Sequence, residues 1–411
     1  MPTEVSPTPS NQFEDNENPG GFSHIPALDG IRGLAILLVL IDHLLWANGH
    51  TGSRLLDLLS DVRSSTFVGV NLFFALSGFL ITGILIDTVN IPHFFKTFYG
   101  RRALRIFPLY YGCLFILIAL TKPLHFLWSG QQYYALVYLG NIAVWHHDAY
   151  VNLGHFNINH FWSLQVEEQF YFIWPLVVYR VRRMLTLVRI CLISCAFILG
   201  IRIFITIMLA RHVFTNLYLT ASPTFSCADN LLFGCCLAVL MRTQWRTRAL
   251  HLAPRILAIS AAILLALAIP NHGLDWFQVI SPIDCGLIQT LGFTLLGISS
   301  AALIAMTLRS GSTTQRLFQN RFLRFLGKYS YGIYVFHYSI NGFLEAPIRS
   351  FLNAHLHSKA LSVLFQALIV GILSVLVAML SYHLFEVHFL RLKRYFSYNR
   401  AAPGQPIRAA S

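Results

Sequence analysis

The chain has 411 residues, of which 55% are hydrophobic and only 11% are charged, and its mean hydropathy is +0.59. Because soluble domains carry about 25% charged residues, this composition excludes a soluble globular protein and indicates an α-helical integral membrane protein. The net charge of +13 does not indicate nucleic-acid binding, since Lys and Arg are distributed between apolar segments and are not collected on one face or tail.

The first 24 residues differ in composition from the rest of the chain. They contain no Lys or Arg, four acidic residues and several Pro and Asn residues. Such a polar segment cannot bury enough apolar surface to fold, so we predict a disordered tail over 1–24. The basic start and adjoining apolar core of a signal peptide are absent from it.

Ten apolar stretches follow that are long enough to cross a bilayer, which takes about 20 predominantly apolar residues. They are 28–46, 66–87, 104–121, 161–179, 187–208, 223–241, 256–270, 286–308, 328–346 and 361–385. An eleventh apolar stretch, 133–145, is short for a span and is either interfacial or re-entrant. These stretches predict a transmembrane domain over 25–390, followed by a basic C-terminal tail over 391–411.

The distribution of Lys and Arg orients the predicted bundle in the membrane. With the N-terminus placed in the cytoplasm, the cytoplasmic connections hold 22 of these residues and the opposite loops hold 6. The remaining two, Arg32 and Arg202, lie within predicted spans. Because cytoplasmic loops of membrane proteins are enriched in Lys and Arg, we predict an all-α polytopic helix bundle with about ten transmembrane helices and both termini in the cytoplasm.

The first predicted span carries ionisable residues, although a charge at the membrane centre costs about 2.5–3.5 kcal/mol. Arg32 and His43 are eleven residues apart, which places them within about 20° of the same helix face and about 16 Å apart along its axis. This spacing indicates a face with a cation near the cytoplasm and an imidazole toward the outer side. Asp42 either holds His43 through Nδ1 or lies at the outer interface. The structural alternatives are an Arg32 that snorkels to the interface and an interhelical hydrogen bond of His43.

The fourth predicted span carries a polar stripe. His160, Ser163 and Glu167 have i, i+3, i+7 spacing and share one face, whereas Glu168 points about 100° away. Because this span runs inward, we predict that its carboxylates lie at much the same depth as His43. A carboxylate beside an imidazole is suited to acid–base catalysis. The alternative is that both glutamates pair with Arg or His residues and tie the bundle together.

Ionisable residues also mark the second connection and two later spans. Arg102 and Arg105 are three residues apart and so face one way at the cytoplasmic membrane surface, where guanidinium groups suit phosphate. Alternatively, they only set the topology and contact anionic lipid. His337, on the face of Ser330 in the ninth span, is either functional or a packing histidine. Asp229 in the sixth span is either functional or the partner of a neighbouring helix.

Several familiar catalytic and metal-binding motifs are absent. The sequence has no Walker loop, no GxSxG elbow and no HExxH motif. Its seven cysteines form no CxxC pair and nearly all fall in apolar runs, which disfavours a zinc site or a disulfide scaffold. The residues alone therefore indicate an intramembrane enzyme or a transporter, with a phosphate-binding cytoplasmic mouth and an outer His/Glu centre.

Six sequence blocks, in a fixed order, match a known family. The opening IPALDGIRGLAILLVLIDH is followed by FVGVNLFFALSGFLIT, FYGRRALRIFPLYY, HFWSLQVEEQFYFIWP, ADNLLFGCCLAVL and LGKYSYGIYVFHYSI. Together they resemble the acyltransferase-3 family of bacterial integral-membrane O-acyltransferases, over about residues 25 to 390. The spacing of Arg32 and His43 and the block SLQVEEQFY are the most specific parts of the resemblance.

The resemblance implies an enzyme of the bacterial inner membrane. Such an enzyme transfers an acyl group, often acetyl, from cytoplasmic acyl-CoA to a hydroxyl of a glycan or of another acceptor. Acyl-CoA is then a co-substrate, and neither a permanently bound cofactor, a metal nor an obligate protein partner is expected. The acceptor and the acyl length stay open, with lipopolysaccharide, exopolysaccharide, peptidoglycan and smaller molecules all possible.

The resemblance also suggests roles for the polar residues. It implies that His43 is the catalytic base, which we expect Glu167 or Asp42 to orient. It links three arginines to the acyl donor: Arg32, Arg102 and Arg105. Four further residues are expected to contact the acceptor or to support the site: His160, Ser163, Glu168 and His337. Both direct attack on the thioester and a transient acyl-enzyme are consistent with this arrangement.

Two departures from the family and two rival functions complete the predictions. Cys227 stands where many relatives carry an arginine, two residues before the acid of the sixth-span motif. The chain ends soon after the last span, so transfer is expected to be completed in the membrane domain. A secondary transporter or flippase with an intramembrane proton relay is less favoured, because no inverted repeat is visible. A glycosyltransferase that uses a polyprenyl carrier usually has a larger extracytoplasmic loop.

Overall fold

The computed structural model describes residues 24–45, 68–123, 132–143, 158–211, 223–268, 287–356 and 358–398. Across these ranges the regular structure is helical and contains no β-strand, which confirms the predicted all-α class. The predicted tail over 1–24, except for His24, and residues 399–411 of the predicted C-terminal tail lie outside the described residues.

Long helices alternate with short ones along the described chain. In chain order they are α1 (Pro26–Leu44), α2 (Val68–Thr88), α3 (Phe94–Ala119), α4 (Gln132–Leu136), α5 (Gly140–Ala143), α6 (Trp162–Arg180), α7 (Met184–Ala210), α8 (Pro223–Leu240), α9 (Arg246–Ala268), α10 (Phe293–Thr307), α11 (Thr313–Phe318), α12 (Arg321–Leu356), α13 (Lys359–Ser381) and α14 (Val387–Arg391). Short 3₁₀ turns cover Asn159–Phe161 and Leu392–Phe396, and π-helical turns cover Ile288–Gly292 and Tyr382–Glu386.

Six helical segments of the described chain are long and apolar enough to cross a membrane. They are Val68–Thr88, Phe94–Ala119, Met184–Met208, Arg246–Leu267, Thr290–Thr307 and Lys359–Phe396. Each overlaps one predicted span, and the shorter apolar helix Cys227–Leu240 overlaps another. The other three predicted spans correspond to the helices α1, α6 and α12, which carry several ionisable residues of the candidate site. The count of ten spans stays a prediction.

The burial of the helices separates a central helix from peripheral ones. In α2, 72% of the apolar window is buried within the protein, compared with 22% in Met184–Met208 and 17% in Arg246–Leu267. The outer helix α7 exposes large apolar side chains such as Ile193 and Phe197. A continuous apolar exterior of this kind suits contact with lipid, whereas it would be unfavourable in water.

Glycines allow the backbones of the central helices to approach closely. A Cβ atom on Gly30 or Gly33 of α1 would overlap the backbone carbonyl of Phe318 or Leu323. The contact between α2 and α8 is reciprocal, because Gly78 faces a carbonyl of α8 and Gly234 faces a carbonyl of α2. Small residues at such crossings increase van der Waals contact, which stabilises helix pairs inside a membrane. The contact of Gly33 with Leu323 brings α1 close to α12.

The part of the eleventh apolar stretch that the structure describes lies in two short helices, α4 and α5, of five and four residues. Neither is long enough to cross a bilayer. Hydrogen bonds from α3 hold α4, because Tyr110 and Tyr111 donate through their hydroxyls to Ala135 O and Leu136 O at 2.7 and 2.9 Å. The amide of Asn141 in α5 donates to Gln165 Oε1 at 2.7 Å. Hydrogen bonds to α3 and α6 therefore hold the described part of this stretch in place.

The helix α12 connects the two halves of the candidate site. It contains 36 residues, which corresponds to about 54 Å and exceeds the about 30 Å of a bilayer's apolar core. Its buried face includes the polar residues Ser330, Tyr334 and His337. These residues have i, i+4, i+7 spacing and so lie along one side of the helix. The same helix can therefore supply groups to sites at two depths.

Candidate active site

Three histidines from separate segments form one group, the histidine cluster: His43 of α1, His160 of the 3₁₀ turn before α6, and His337 of α12. The ring centroids of His43 and His337 are 5.1 Å apart, and those of His160 and His337 are 5.2 Å apart. The Tyr338 ring contacts both His43 and His160, at centroid distances of 5.1 Å. His337 and His160 are buried, whereas 23% of the His43 side chain is exposed. His43 is therefore the most accessible member.

The histidine cluster does not have the geometry of a metal site. Among the residues that the structure describes, no group of three or more His, Cys, Asp or Glu side chains is arranged to hold a metal ion. The ring nitrogens instead take part in hydrogen bonds: His43 Nδ1 lies 3.3 Å from His337 Nε2, and His160 Nε2 lies 3.4 Å from Val335 O. This arrangement suits proton transfer.

A second polar region, the basic cavity, lies among α1, α2, α3, α6 and α12. It has a volume of about 100 Å³. The polar part of its wall comprises Arg32, Ser77, Arg102, Arg105, Ser163, Glu167, Glu168, Ser330, Tyr331 and Tyr334. The three arginines that were predicted to contact an acyl donor therefore line one cavity. Its remaining wall is apolar, formed by side chains such as Phe73 and Phe74 of α2.

The arginines at the start of α3 have different environments. Arg101 donates to the carbonyls of Lys393 and Phe396, at 3.4 and 3.2 Å, and so anchors the C-terminal 3₁₀ turn. The guanidinium of Arg102 instead lies 4.0 Å from the centroid of the Tyr171 ring, as a cation–π contact inside the basic cavity. Arg102 and Arg105 face the same cavity, in agreement with their i, i+3 spacing.

Glu167 lies in the basic cavity and not beside His43. Its carboxylate accepts hydrogen bonds from Ser77 Oγ at 2.7 Å and from the Tyr171 hydroxyl at 3.0 Å. The prediction that Glu167 lies at the depth of His43 is therefore corrected. His160, seven residues earlier on the same face, contacts the histidine cluster instead. Seven residues of helix correspond to about 10.5 Å, which separates the two ends of this stripe.

The other glutamate, Glu168, also faces the basic cavity. Although it points away from the stripe of Glu167, it interacts electrostatically with Arg102, as Glu167 does. Both glutamate side chains therefore lie within the electrostatic reach of one guanidinium. Their position near Arg102 is closer to the predicted alternative, in which the glutamates pair with Arg or His residues, than to contact with the histidine cluster.

The carboxylate nearest to His43 is that of Asp42. Asp42 Oδ2 lies 4.0 Å from His43 Nε2. At the other end of α1, Arg32 forms an ion pair with Asp29, with 3.3 Å between Arg32 Nη1 and Asp29 Oδ1. One face of α1 therefore connects the basic cavity, through Arg32, with the histidine cluster, through His43. The eleven-residue spacing of the two had indicated such a face.

Ser163 and Tyr334 form a polar neck between the basic cavity and the histidine cluster. Both line the cavity, and their hydroxyl oxygens are 2.6 Å apart. The Tyr334 hydroxyl donates to the backbone carbonyl of His160 at 2.6 Å. On the other side, the Tyr334 ring lies 5.5 and 5.6 Å from the rings of His160 and His337. The neck therefore touches both polar regions.

A comparison with protein families shows the family of the chain that carries the basic cavity and the histidine cluster. The model of a family described as an acyltransferase domain matches residues 25–383. The chain belongs to this acyltransferase family. The matched region includes every residue of the basic cavity, the polar neck and the histidine cluster. The resemblance predicted from the sequence blocks is thereby confirmed.

Two relatives in this acyltransferase family have names that describe a substrate or a reaction. YrhL of Bacillus subtilis, provisionally named a peptidoglycan O-acetyltransferase, is 28% identical over 382 residues, which cover 88% of this chain and 54% of YrhL. The O-acetyltransferase OatA of Staphylococcus aureus is 28% identical over 393 residues, 88% of this chain and 57% of OatA. The chain thus spans little more than half the length of these relatives. No solved structure matches it.

The departure from the acyltransferase family at Cys227 is accompanied by an ion pair elsewhere. Arg202 Nη2 of α7 lies 2.5 Å from Asp229 Oδ2 of α8, and Thr294 of α10 donates to the same oxygen at 2.9 Å. The side chains of Arg202 and Asp229 are 3% and 0% exposed. Asp229 is therefore the partner of a neighbouring helix, which was one of the two alternatives, and it ties three helices together.

Sequence reasoning missed four side chains of the site. Tyr334 lies between Ser330 and His337 on the same face of α12, so the periodicity that singled out those two residues also indicates it. Tyr171 follows Glu167 by one helical turn and shares its face. For Ser77, inside an apolar stretch of α2, and for Tyr338, the sequence gives no comparable signal, since their roles depend on contacts with other helices.

Proposed function

We propose that this chain is a membrane O-acetyltransferase that moves an acetyl group from cytoplasmic acetyl-CoA to a hydroxyl of a cell-wall glycan of the peptidoglycan type. The proposal is carried by one observation: the basic cavity and the histidine cluster are joined through the polar neck along α1, α6 and α12. Membership of the acyltransferase family supports acyl transfer. The names of YrhL and OatA support the acetyl group and the glycan acceptor.

In this proposal the donor binds from the cytoplasmic side. The phosphates of CoA contact Arg102 and Arg105, since guanidinium groups form strong charge-assisted hydrogen bonds with phosphate oxygens. The flexible pantetheine arm then extends past Arg32 toward Ser163 and Tyr334. The apolar part of the cavity wall suits its methylene groups, and the thioester arrives at the polar neck. The donor is a co-substrate, so its binding is reversible.

At the other side of the neck His43 acts as the general base. It removes the proton from the acceptor hydroxyl, and the oxygen attacks the thioester carbon. The carbon–sulfur bond breaks, the CoA thiolate takes the proton from the imidazolium, and an acetyl ester and CoA thiol remain. Direct attack is favoured because the described partners of Ser163 Oγ are the Tyr334 hydroxyl and the His160 carbonyl, neither of which is the basic group that activates a serine nucleophile.

The proposed topology has ten membrane spans, both termini in the cytoplasm and the bacterial inner membrane as the location. It rests on the excess of Lys and Arg in the connections assigned to the cytoplasm. Arg102 and Arg105 then lie toward the cytoplasm, and His43 and His160 toward the opposite side. Acetyl transfer along this path moves an acetyl group across the membrane without a separate transporter.

The basic cavity gives a first expected result. Arg102→Ala and Arg105→Ala are each expected to raise the KM for acetyl-CoA about tenfold or more, since a hydrogen bond to a charged group contributes about 1.5–3 kcal/mol. Steady-state kinetics of the purified protein, with release of CoA thiol as the readout, measure this effect. The KM for the glycan is expected to change less, because the acceptor meets the opposite side of the neck.

A matched control for these variants is Arg182→Ala. Arg182 is another arginine in a connection assigned to the cytoplasm, but it is exposed and bonds to Asn90 at the molecular surface. The contrary outcome is that all three variants have the same KM for acetyl-CoA and differ from the wild type only in membrane orientation. In that case Arg102 and Arg105 set the topology only, and their assignment to the acyl donor is wrong.

Sidedness tests the proposed function as a whole. In sealed membrane vesicles of known orientation, acetyl-CoA is expected to support acetylation only when it is supplied to the cytoplasmic side, with acetylated glycan on the other. Cysteines placed at the exposed positions Lys122 and Thr313 report the orientation of each vesicle preparation. An impermeant thiol reagent added to the non-cytoplasmic side is expected to label the cysteine at 122 and not the one at 313. A requirement for both substrates on the cytoplasmic side contradicts the proposed path.

The same preparation distinguishes an acyltransferase from a transporter. An acyltransferase releases CoA thiol in proportion to the glycan that it acetylates. A transporter or flippase with a proton relay instead moves its substrate unchanged and releases no CoA. Acceptor movement without thiol release therefore excludes the proposed function.

A further inference from the structure

We infer that His337 is a positioning residue, which holds His43 in the tautomer that makes its Nε2 atom the basic nitrogen. This inference rests on the proposed function, because it assigns a partner to the proposed general base. The observation behind it is a chain of hydrogen bonds that begins at the backbone of α12 and ends at the imidazole of His43 on α1. In this series of hydrogen bonds, the acceptor-only carbonyl oxygens at its start determine which nitrogen donates and which accepts in each later bond.

The backbone carbonyls of α12 determine the protonation of His337. Its Nδ1 atom lies 2.8 Å from Tyr334 O and 3.1 Å from Ile333 O. A carbonyl oxygen can only accept a hydrogen bond, so Nδ1 of His337 carries the hydrogen. In the neutral imidazole the other nitrogen, Nε2, then has a free lone pair. Burial of the whole side chain, which is 0% exposed, disfavours a second, charge-bearing proton.

This lone pair of His337 faces His43. The His337 Nε2 atom is 3.3 Å from His43 Nδ1, which also lies 3.0 Å from the carbonyl of Val39. Both neighbours are acceptors, so His43 Nδ1 carries the hydrogen and shares it between them. The lone pair of His43 is therefore on Nε2, the nitrogen 4.0 Å from Asp42 Oδ2. A general base with this tautomer can take the acceptor proton at Nε2.

His337 also prepares the charged state that follows proton removal. When His43 gains a proton at Nε2, its Nδ1 hydrogen still points to the His337 lone pair, so no group has to rotate. Preorganised acceptors of this kind stabilise charge without a reorganisation cost. In catalytic triads a carboxylate has this orienting role toward the base histidine. Here the Glu167 carboxylate accepts hydrogen bonds from Ser77 and Tyr171 in the basic cavity. The orienting group for His43 is instead the imidazole of His337 on α12.

The remaining groups around His43 do not replace His337. The His160 ring contacts His337 and stacks on Tyr338, and its described hydrogen bond is to Val335 O at 3.4 Å. The Tyr338 ring meets the edge of the His43 ring at a centroid distance of 5.1 Å. Asp42 is on the Nε2 side of His43. Among the described hydrogen bonds, the one that His43 Nδ1 donates to His337 Nε2 is therefore the side-chain bond that fixes the His43 tautomer.

Two variants separate the orienting role from packing. His337→Gln places an amide oxygen near the position of Nε2, so it can still accept the hydrogen of His43. His337→Asn places its amide near the position of Nδ1, so it keeps only the donor to the α12 carbonyls. We expect His337→Asn and His337→Ala to lower kcat about 10- to 100-fold, less than loss of the base itself. His337→Gln is expected to retain more of the activity, and the KM for acetyl-CoA is expected to stay unchanged in all three.

The kinetic test uses purified protein, acetyl-CoA and glycan strands isolated from peptidoglycan. His383→Gln is the matched control, because His383 also forms a hydrogen bond with another helix, to Tyr329 at 3.1 Å, but is not part of the histidine cluster. Unfolding of each variant in detergent corrects for lost stability. If His337→Asn is as active as His337→Gln, or if all variants match the wild type, the orienting role is excluded.

A second readout is independent of activity. Solid-state ¹⁵N NMR of histidine-labelled protein distinguishes the two tautomers, and the His43 signals are identified by their loss in His43→Ala. We expect the Nδ1–H tautomer in the wild type and in His337→Gln, with a shift toward Nε2–H in His337→Asn and His337→Ala. An unchanged His43 tautomer in His337→Ala overturns the inference. A wild type that transfers no acetyl group but shows the expected tautomers contradicts the proposed function alone.

Discussion

Replacing His43 by alanine is expected to lower the rate of acetyl transfer by about 10²- to 10⁴-fold, the range that a general base contributes. The substitution removes the ring whose Nε2 atom is to take the acceptor proton, and neither of the other two histidines of the cluster is placed to replace it. His160 and His337 are buried, and their ring nitrogens contact backbone carbonyls. The measurement is the initial rate of CoA release at saturating acetyl-CoA and glycan.

The structure also predicts that this variant folds. The His43 side chain is 23% exposed, and its described hydrogen bonds are limited to His337 Nε2 and to the carbonyl of Val39 in its own helix. Membrane insertion and the detergent unfolding transition of His43→Ala should therefore be close to those of the wild type, and His383→Ala serves as the control for loss of an imidazole elsewhere. Activity within about tenfold of the wild type rules out His43 as the general base, because such a base contributes more.

A large effect on stability is expected for Arg202→Met. The substitution leaves the Asp229 carboxylate without its arginine in a position where it is 0% exposed. Breaking a buried ion pair by removing one partner costs about 3–5 kcal/mol, because the remaining charge keeps its desolvation penalty. Thr294 can donate only one hydrogen bond to this carboxylate and does not neutralise it. The free energy of unfolding, from denaturant titration in detergent micelles, measures the loss.

The double variant Arg202→Met/Asp229→Leu tests the cause of this loss. Because it removes both charges, it is expected to recover most of the stability that the single variant loses. Arg182→Met is the surface control, since Arg182 is exposed at the molecular surface and exposed charged contacts contribute about 0–1 kcal/mol. If the double variant is as unstable as Arg202→Met, the loss comes from packing of the arginine side chain and not from an unpaired charge.

The sequence by itself was sufficient to determine the class of protein and the position of most long helices. Composition excludes a soluble protein, and apolar stretches of membrane-spanning length predicted helices such as Val68–Thr88 and Met184–Met208. Both features depend on local chain properties, because each residue's hydropathy and the helical repeat act over about one span. The order of the sequence blocks was equally informative, since it predicted the acyltransferase family that the comparison confirms.

Spacing within one helix was also informative about the candidate site. The eleven residues between Arg32 and His43 predicted a shared face, and the structure places one in the basic cavity and the other in the histidine cluster. Arg102 and Arg105, one turn apart, face the same cavity. Within a helix the relative positions of side chains follow from 3.6 residues per turn and 1.5 Å per residue, so no knowledge of neighbouring helices is needed.

Only the tertiary structure decided which residues on different helices meet. His337 and His43 are 294 positions apart in the sequence, yet their ring nitrogens are in hydrogen-bond contact. Glu167 was predicted to lie beside His43, but in the structure it accepts hydrogen bonds from Ser77 and Tyr171. Asp229 forms an ion pair with Arg202 of a neighbouring helix. The depth and rotation of one helix against another are set by close packing, such as that of Gly30 against Phe318. Hydropathy and periodicity carry no information on that packing, because they describe each helix alone.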